Sequence, residues 1–356
     1  MNPKIAKLAK ILTQYSVEVK SNDKVIISCS PKGLVLAKVI YRLCLQVGAF
    51  PHLLFAPENL DWLFFNSAQP KHLTKKPEVG LFLANWADKF IRIVTNLNDR
   101  QLAQIKAQKI MTYTKSREPI KNIMLKKPWV LTYYPTQSMA QTAGLSLEEL
   151  EKIYFQACLQ DWSKMKQRLS KLKKRFDQVD QVTILGKHNR LTFSLKGRLA
   201  QAAAGKYNMP DGEVFAAPID DSAEGEIFFD LPSLYQGKIV ERVRLTFKKG
   251  RVIKATADRG QKFLDKALAT DAGARRLGEF AIGTNYGIKQ AMLNTLFDEK
   301  IGGTIHLALG NAYLDKEGGG TNKSAIHWDL VKDMRQPNAK VLFDGKPVLV
   351  NGKILV

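Results

Sequence analysis

Two histidines and several carboxylates sit among apolar, strand-like runs in the last third of the chain. In Thr321-Asn-Lys-Ser-Ala-Ile-His-Trp-Asp-Leu-Val, His327 and Asp329 are two residues apart. A strand therefore presents both on one face, while Ile326, Trp328 and Leu330 turn to the other. His306 occupies a similar run, with Ile305, Leu307 and Leu309 facing away from it. Imidazole and carboxylate on one face, with an apolar opposite face, is how a strand offers metal ligands from a packed core. Upstream, Glu213 follows a Pro-Asp-Gly turn, and Glu279 interrupts an apolar strand, where burial demands a partner such as a metal. Asp298-Glu299-Lys300 precede the His306 run. The chemistry that such groups suit is divalent-metal hydrolysis.

Taken singly, each residue has a plainer reading. His306 or His327 alone is a core or surface histidine, Glu279 a salt-bridge partner, Asp211 the acid of its turn, and Glu299 a local cap. His52, His72 and His188 lie outside these blocks and receive no role.

The blocks themselves carry a resemblance. Asn208-Met-Pro-Asp-Gly-Glu-Val-Phe, Gly225-Glu-Ile-Phe-Phe-Asp-Leu-Pro, Leu277-Gly-Glu-Phe-Ala-Ile-Gly-Thr-Asn, Phe297-Asp-Glu-Lys-Ile-Gly-Gly-Thr-Ile-His-Leu-Ala-Leu-Gly and Asn322-Lys-Ser-Ala-Ile-His-Trp-Asp resemble, in order, the M29 family of thermophilic-type aminopeptidases. The likeness is strongest from about residue 182 onward. It implies metal ligands at Glu213, Glu279, His306, Tyr313, His327 and Asp329, with Glu279, Glu299 and Tyr313 as catalytic candidates. It further implies two divalent cations, Zn or Co with Mn or Mg as alternatives, acting on peptides with a free N-terminus. Four oxygen and two imidazole ligands suit such cations and not a soft thiolate site. A water activated between two metals would attack the first peptide bond. Glu279 and Glu299 are the general-base candidates. A homodimer with enclosed active sites is implied as well. Two other classes stay open: a two-metal phosphoesterase or nuclease, and a catalytically weak homologue that binds without turnover.

The elements that must position these residues divide in style. Up to about residue 180 strands alternate with helices: Lys24–Cys29, a helix from Pro31 to about Gly48, then Pro51–Phe55, Val79–Asn85, Lys109–Met111 and Trp129–Tyr134 as strands. That alternation implies an α/β domain with a mostly parallel sheet. A long helix from Ser146, opened by a Ser146/Glu149 capping box, leads out of it. Residues 181–356 read as an α+β metal-binding catalytic domain of strands and hairpins. Asp344-Gly345 and Asn351-Gly352 mark its last two turns. No glycine-rich dinucleotide or nucleoside-triphosphate signature is present.

The chain has 356 residues, enough for two cores, and a net charge of +22. Its basic residues gather in 100–127, beginning at Arg100, and in Lys164–Arg175. In the second stretch Trp162, Met165, Leu169, Leu172 and Phe176 form one helical stripe, which leaves the lysines as its solvated face. Neither stretch interleaves aromatics as a single-strand groove would, so no specific nucleic acid is expected. Apolar runs are too short to span a bilayer, and no secretory signal core is seen. Three scattered cysteines, Cys29, Cys44 and Cys158, suit reduced thiols and a cytoplasmic location.

Overall fold

The computed structural model describes residues 2–57, 60–95, 97–98, 101–102, 104–187, 189–313 and 319–355. Arg100 and His188 fall outside them. The chain separates into two compact units: residues 1–159 with 205–209, and residues 160–204 with 210–356.

The first unit is α/β. Its sheet runs in the order Phe50–Phe55, Lys24–Cys29, Lys89–Val94, Trp129–Tyr133 and Asn208–Met209, with every pair parallel. Val25 and Ile27 are buried on the Lys24 strand, as are Leu36, Ala37, Ile40 and Cys44 on the helix Leu34–Gln46 that follows it. Two expected strands are helices instead. Val79–Asn85 lies within the helix Glu78–Trp86, and Lys109–Met111 lies within Ala107–Met124. A short apolar run has no period that tells strand from helix, and in the first case the helix leaves Val79 and Phe82 exposed.

The second unit holds an eight-stranded antiparallel sheet, a two-stranded hairpin and a five-stranded sheet that carries the functional residues. The expected turns are present: Asp344 and Gly345, like Asn351 and Gly352, have positive φ between antiparallel strands. The break between units falls about 20 residues before the expected boundary of 180. The reason is the helix itself. The single long helix expected from Ser146 is two, Leu147–Cys158 and Trp162–Asp177, and Asp161 caps the second by accepting from the Lys164 amide at 3.0 Å. The second helix buries the whole Trp162-to-Phe176 stripe. Phe176 stacks on Phe280 of the five-stranded sheet and meets Phe343 of the eight-stranded one, with ring centroids 5.4 and 4.9 Å apart.

All three cysteines are buried and unpaired with one another. Burial, reinforced by Asp23, pushes the Cys44 thiol up to about 11, and burial raises Cys158 well above its usual value. Unfolded thiols ionise near ~8.5. Stability from keeping these thiols neutral is therefore complete below that pH and is lost as pH climbs toward 11. A disulfide-exchange reagent at pH 8 should titrate none of the three in the native protein and all three in denaturant. Rapid native labelling would contradict the burial.

Candidate metal centre

The five-stranded sheet has the order His327–Asp333, Thr304–Gly310, Leu277–Gly283, Glu213–Ala216 and Gln201–Ala203, with all pairs antiparallel. Its register brings the site together. Ala281 lies opposite His306, Ala308 opposite Asp329, Gly310 opposite His327, and Gly283 opposite Glu213. Because side chains alternate, Glu213, Glu279, His306, His327 and Asp329 all project from one face. The other face shows Phe280, Ile282, Ile305, Leu307, Trp328 and Leu330, all buried. Trp328 donates to Ser233 Oγ at 2.9 Å and stacks on Tyr235 at 5.2 Å. Strict alternation would put Leu277 on the face of Glu279, two residues on, but it lies on the other. A bulge at Gly278 shifts the register, and Leu277 pairs with Leu309 on the apolar side. A Cβ at Gly278 would stand 2.4 Å from the Asn311 carbonyl, so only glycine fits the bulge.

The contacts are close. His306 Nε2 stands 3.1 Å from Glu279 Oε1 and 3.6 Å from Glu213 Oε2. His327 Nε2 stands 3.6 Å from Glu279 Oε2 and 3.5 Å from Asp329 Oδ1. Both rings are fixed from behind: His306 Nδ1 donates to the Glu299 carbonyl at 3.1 Å and His327 Nδ1 to the Asn311 carbonyl at 2.7 Å. A carbonyl only accepts, so each Nδ1 carries a proton, and either ring when neutral would aim its Nε2 lone pair at carboxylate oxygens. Glu213 Oε2, Glu279 Oε2 and Asp329 Oδ1 are buried without hydrogen-bond partners among the described residues. Lone pairs facing lone pairs in a buried site need a positive charge between them.

Protonation responds to that need. Burial opposes charge on His306, yet Glu279, Glu213 and Asp329 outweigh it and raise the ring to about 9. Burial opposes charge on His327 as well, but Asp329 and Glu279 raise it to about 10. Burial alone would raise Asp329, whereas His327, His306 and Lys300 hold it down at about 2. Glu299, buried beside Lys300 and the Glu213 and Asp329 carboxylates, is pushed up to about 7, burial being the largest cause. Metal-ligand atoms of Glu213, Glu279 and His306 lie within 4.8 Å of one another, as do those of Glu299, His306 and Asp329.

Tyr313 sits differently. It is about half exposed, and its ring packs on His327 and Phe215 at centroid distances of 5.6 and 5.4 Å. Burial of its hydroxyl and the charges of Glu279, Glu299 and Asp329 raise its pKa. Two members of the cluster lacked a signal in the sequence. Lys300 is 1 % exposed and its Nζ donates to Glu213 Oε1 and Glu299 Oε1, both at 2.5 Å. Asp211, read as a turn acid, is buried with Oδ1 4.0 Å from the same Nζ. A cavity of about 580 Å³ elsewhere, at the C-terminal ends of the first unit's strands, contains none of these residues.

With three carboxylates and two imidazoles on one face of a sheet, Asp211 and Glu299 beside them, and orphaned buried oxygens among them, the site has the donor set of a metal centre. The chain belongs to the M29 family of thermophilic metalloproteases, whose family model matches residues 1–353. It is similar to aminopeptidase PepS of Streptococcus thermophilus, with 37% identity over 164 residues. That match covers 41% of this chain and spans only 39% of the length of the relative. Among solved structures, wild-type AmpT from Thermus thermophilus has the same fold, with a TM-score of 0.84, 21% identity and 99% of both chains covered. The 2,5-dihydroxypyridine dioxygenase of Pseudomonas putida KT2440 also shares it, at TM-score 0.63 and 14% identity over 100% of this chain and 98% of that one. One fold thus carries different chemistries, and function has to be argued from the site.

Proposed function

We propose that this protein is an aminopeptidase that uses two divalent cations, Zn or Co, to remove residues from peptides with a free N-terminus. The observation that carries the reading is the pair of imidazoles, each locked by a backbone carbonyl, aimed at partnerless buried carboxylate oxygens. Charge counting supports two ions. With every carboxylate ionised and both rings neutral, Asp211, Glu213, Glu279, Glu299 and Asp329 exceed the one ammonium, Lys300, by four charges, which two divalent ions would meet.

Glu213, Glu279 and His306 would hold one cation, and Glu279, His327 and Asp329 would hold the other, with Glu279 common to both sets. Cations held there supply Lewis acidity toward a peptide carbonyl and acidify water. Glu299, buried and titrating near neutrality, is the chain's proton carrier: it accepts a proton from the attacking water and returns it to the departing amine. Tyr313, beside His327 at the exposed edge, is placed to donate to the developing oxyanion, and its raised pKa keeps the hydroxyl protonated. A leucine anilide and its N-acetylated form, assayed with added Co²⁺ beside a phosphodiester substrate, test the proposal. Cleavage of the free amine alone is expected. Cleavage of the phosphodiester instead would move the site to phosphoryl chemistry.

The proposal extends to a homodimer acting in the cytoplasm. Among the described residues no helix is long and apolar enough to cross a membrane. The helix Leu60–Ser67 exposes Leu60, Trp62 and Leu63 by about half, which offers apolar area for self-association. A net charge of +22 opposes pairing, so added salt should strengthen it where screening dominates. Sedimentation is expected to give a particle of twice the 40.0 kDa chain mass, with the dimer fraction rising with ionic strength. A monomer with full activity at moderate salt would overturn this part.

A further inference from the structure

Lys300 is the one lysine or arginine among the described residues inside the carboxylate cluster, and the sheet register does not account for it. It follows the short helix Thr295–Asp298, where its amide donates to the Phe297 carbonyl at 3.1 Å. Its own carbonyl accepts from the Asn285 amide at 2.9 Å, and the Asn285 side chain donates to the Asp211 carbonyl at 2.8 Å. The backbone is thus tied on both sides, and the ammonium is delivered to a fixed point. At that point it holds Oε1 of Glu213 and Oε1 of Glu299. A buried ammonium has three N–H groups to satisfy. Here two are bonded to carboxylates of the site itself and a third carboxylate, Asp211, lies 4.0 Å away, so the lysine and the carboxylates fix one another.

The geometry has a consequence for each carboxylate. Glu213 has one oxygen occupied, and only Oε2, which faces His306 at 3.6 Å, is left to bind. Glu299 is tethered by the same ammonium, which competes with any cation for its Oε1. Resting on the metal-centre reading above, we propose that Lys300 is a positioning residue that sets how these carboxylates bind. It limits Glu213 to one ligand oxygen and tethers Glu299 through Oε1.

The test uses chelator-stripped full-length protein, reloaded with Co²⁺ and followed by titration calorimetry and by the visible absorption of the bound ion. Lys300→Met removes the charge and frees Glu213 to bind through both oxygens. It should bind Co²⁺ roughly tenfold more tightly, because a nearby positive charge is gone. The visible band should shift, and kcat should fall about 100-fold. A merely structural lysine predicts the reverse, weaker binding with the parent's band; that result, or unchanged affinity with an unchanged band, overturns the proposal. If Lys300→Met does not fold, Lys300→Arg decides. It keeps the charge with a wider head, and should bind two Co²⁺ at near-parent affinity with a shifted band. A parent-like band and kcat in that variant would also overturn the proposal. A parent protein that binds no Co²⁺ would instead remove the metal centre on which it rests.

Discussion

Glu279→Gln is expected to lower aminopeptidase activity by roughly a thousandfold or more, since a catalytic cation contributes several kcal/mol to the transition state. Among the described residues, Glu279 is the one carboxylate within 4.0 Å of both histidine Nε2 atoms. Glu279 Oε1 stands 3.1 Å from His306 Nε2, and Oε2 stands 3.6 Å from His327 Nε2. An amide keeps the shape but loses a charge and half of its acceptor capacity, so it can serve one side of the pair and not both. Metal content by elemental analysis should fall from the proposed two ions per chain to one or fewer. The fold should persist, because Glu279 contributes nothing to the apolar face. Glu213→Gln is expected to cost less, since Lys300 already occupies one of its oxygens. Wild-type metal content and kcat in Glu279→Gln would rule out the bridging role. Loss of kcat with both ions retained would move Glu279 from metal ligand to general base.

Legibility in the sequence followed the reach of each signal. The metal face was readable because it obeys a period of two over seven residues. His327 and Asp329 needed no more than strand alternation, and the burial of Trp328 and Leu330 opposite them follows from the same rule. The last hairpins were readable because Asp344-Gly345 and Asn351-Gly352 must take up positive φ. Elsewhere the information is not local. Val79–Asn85 has apolar residues enough for either a helix or a strand, and only its packing beside the helix Ala107–Met124 selects the helix. The strand Lys89–Val94 hides behind charges. Lys89 is tolerated because its Nζ donates to the Val17 carbonyl at 2.8 Å and pairs with Asp23 at 3.2 Å. Lys300 and Asp211 escape for the same reason. One reads as a surface lysine and the other as a turn acid until segments almost ninety residues apart converge on one point. The grouping of Glu213 with His306 was legible only by resemblance, since no local pattern links their strands.

Phe280→Ala is expected to destabilise the protein by about 3–5 kcal/mol, the usual cost of emptying an aromatic from a tight core. Phe280 is fully buried, one residue from Glu279 and on the opposite face. Its ring meets Phe176 at 5.4 Å, Phe193 at 5.1 Å and Phe343 at 6.5 Å, so a helix and two strands of the second sheet close over it. Few of these neighbours can collapse into the space, because each is held by its own element. Glu279→Gln should behave differently. In the metal-free protein it removes the carboxylate paired with the His306 and His327 rings, so its cost in melting temperature should be present near neutrality and fade above about pH 10, where both rings are neutral, while activity is lost throughout. The two substitutions, on adjacent residues of one strand, therefore separate what the strand does on each face. Denaturant melts of the metal-free variants measure both. A Phe280→Ala midpoint close to the parent's would show that the aromatic cluster is not what holds the ligand sheet flat against its support. A metal-free Glu279→Gln melting well below the parent even where both rings are neutral would show that the carboxylate has a structural partner besides the two histidines, and the claim that it is kept for a cation would fail.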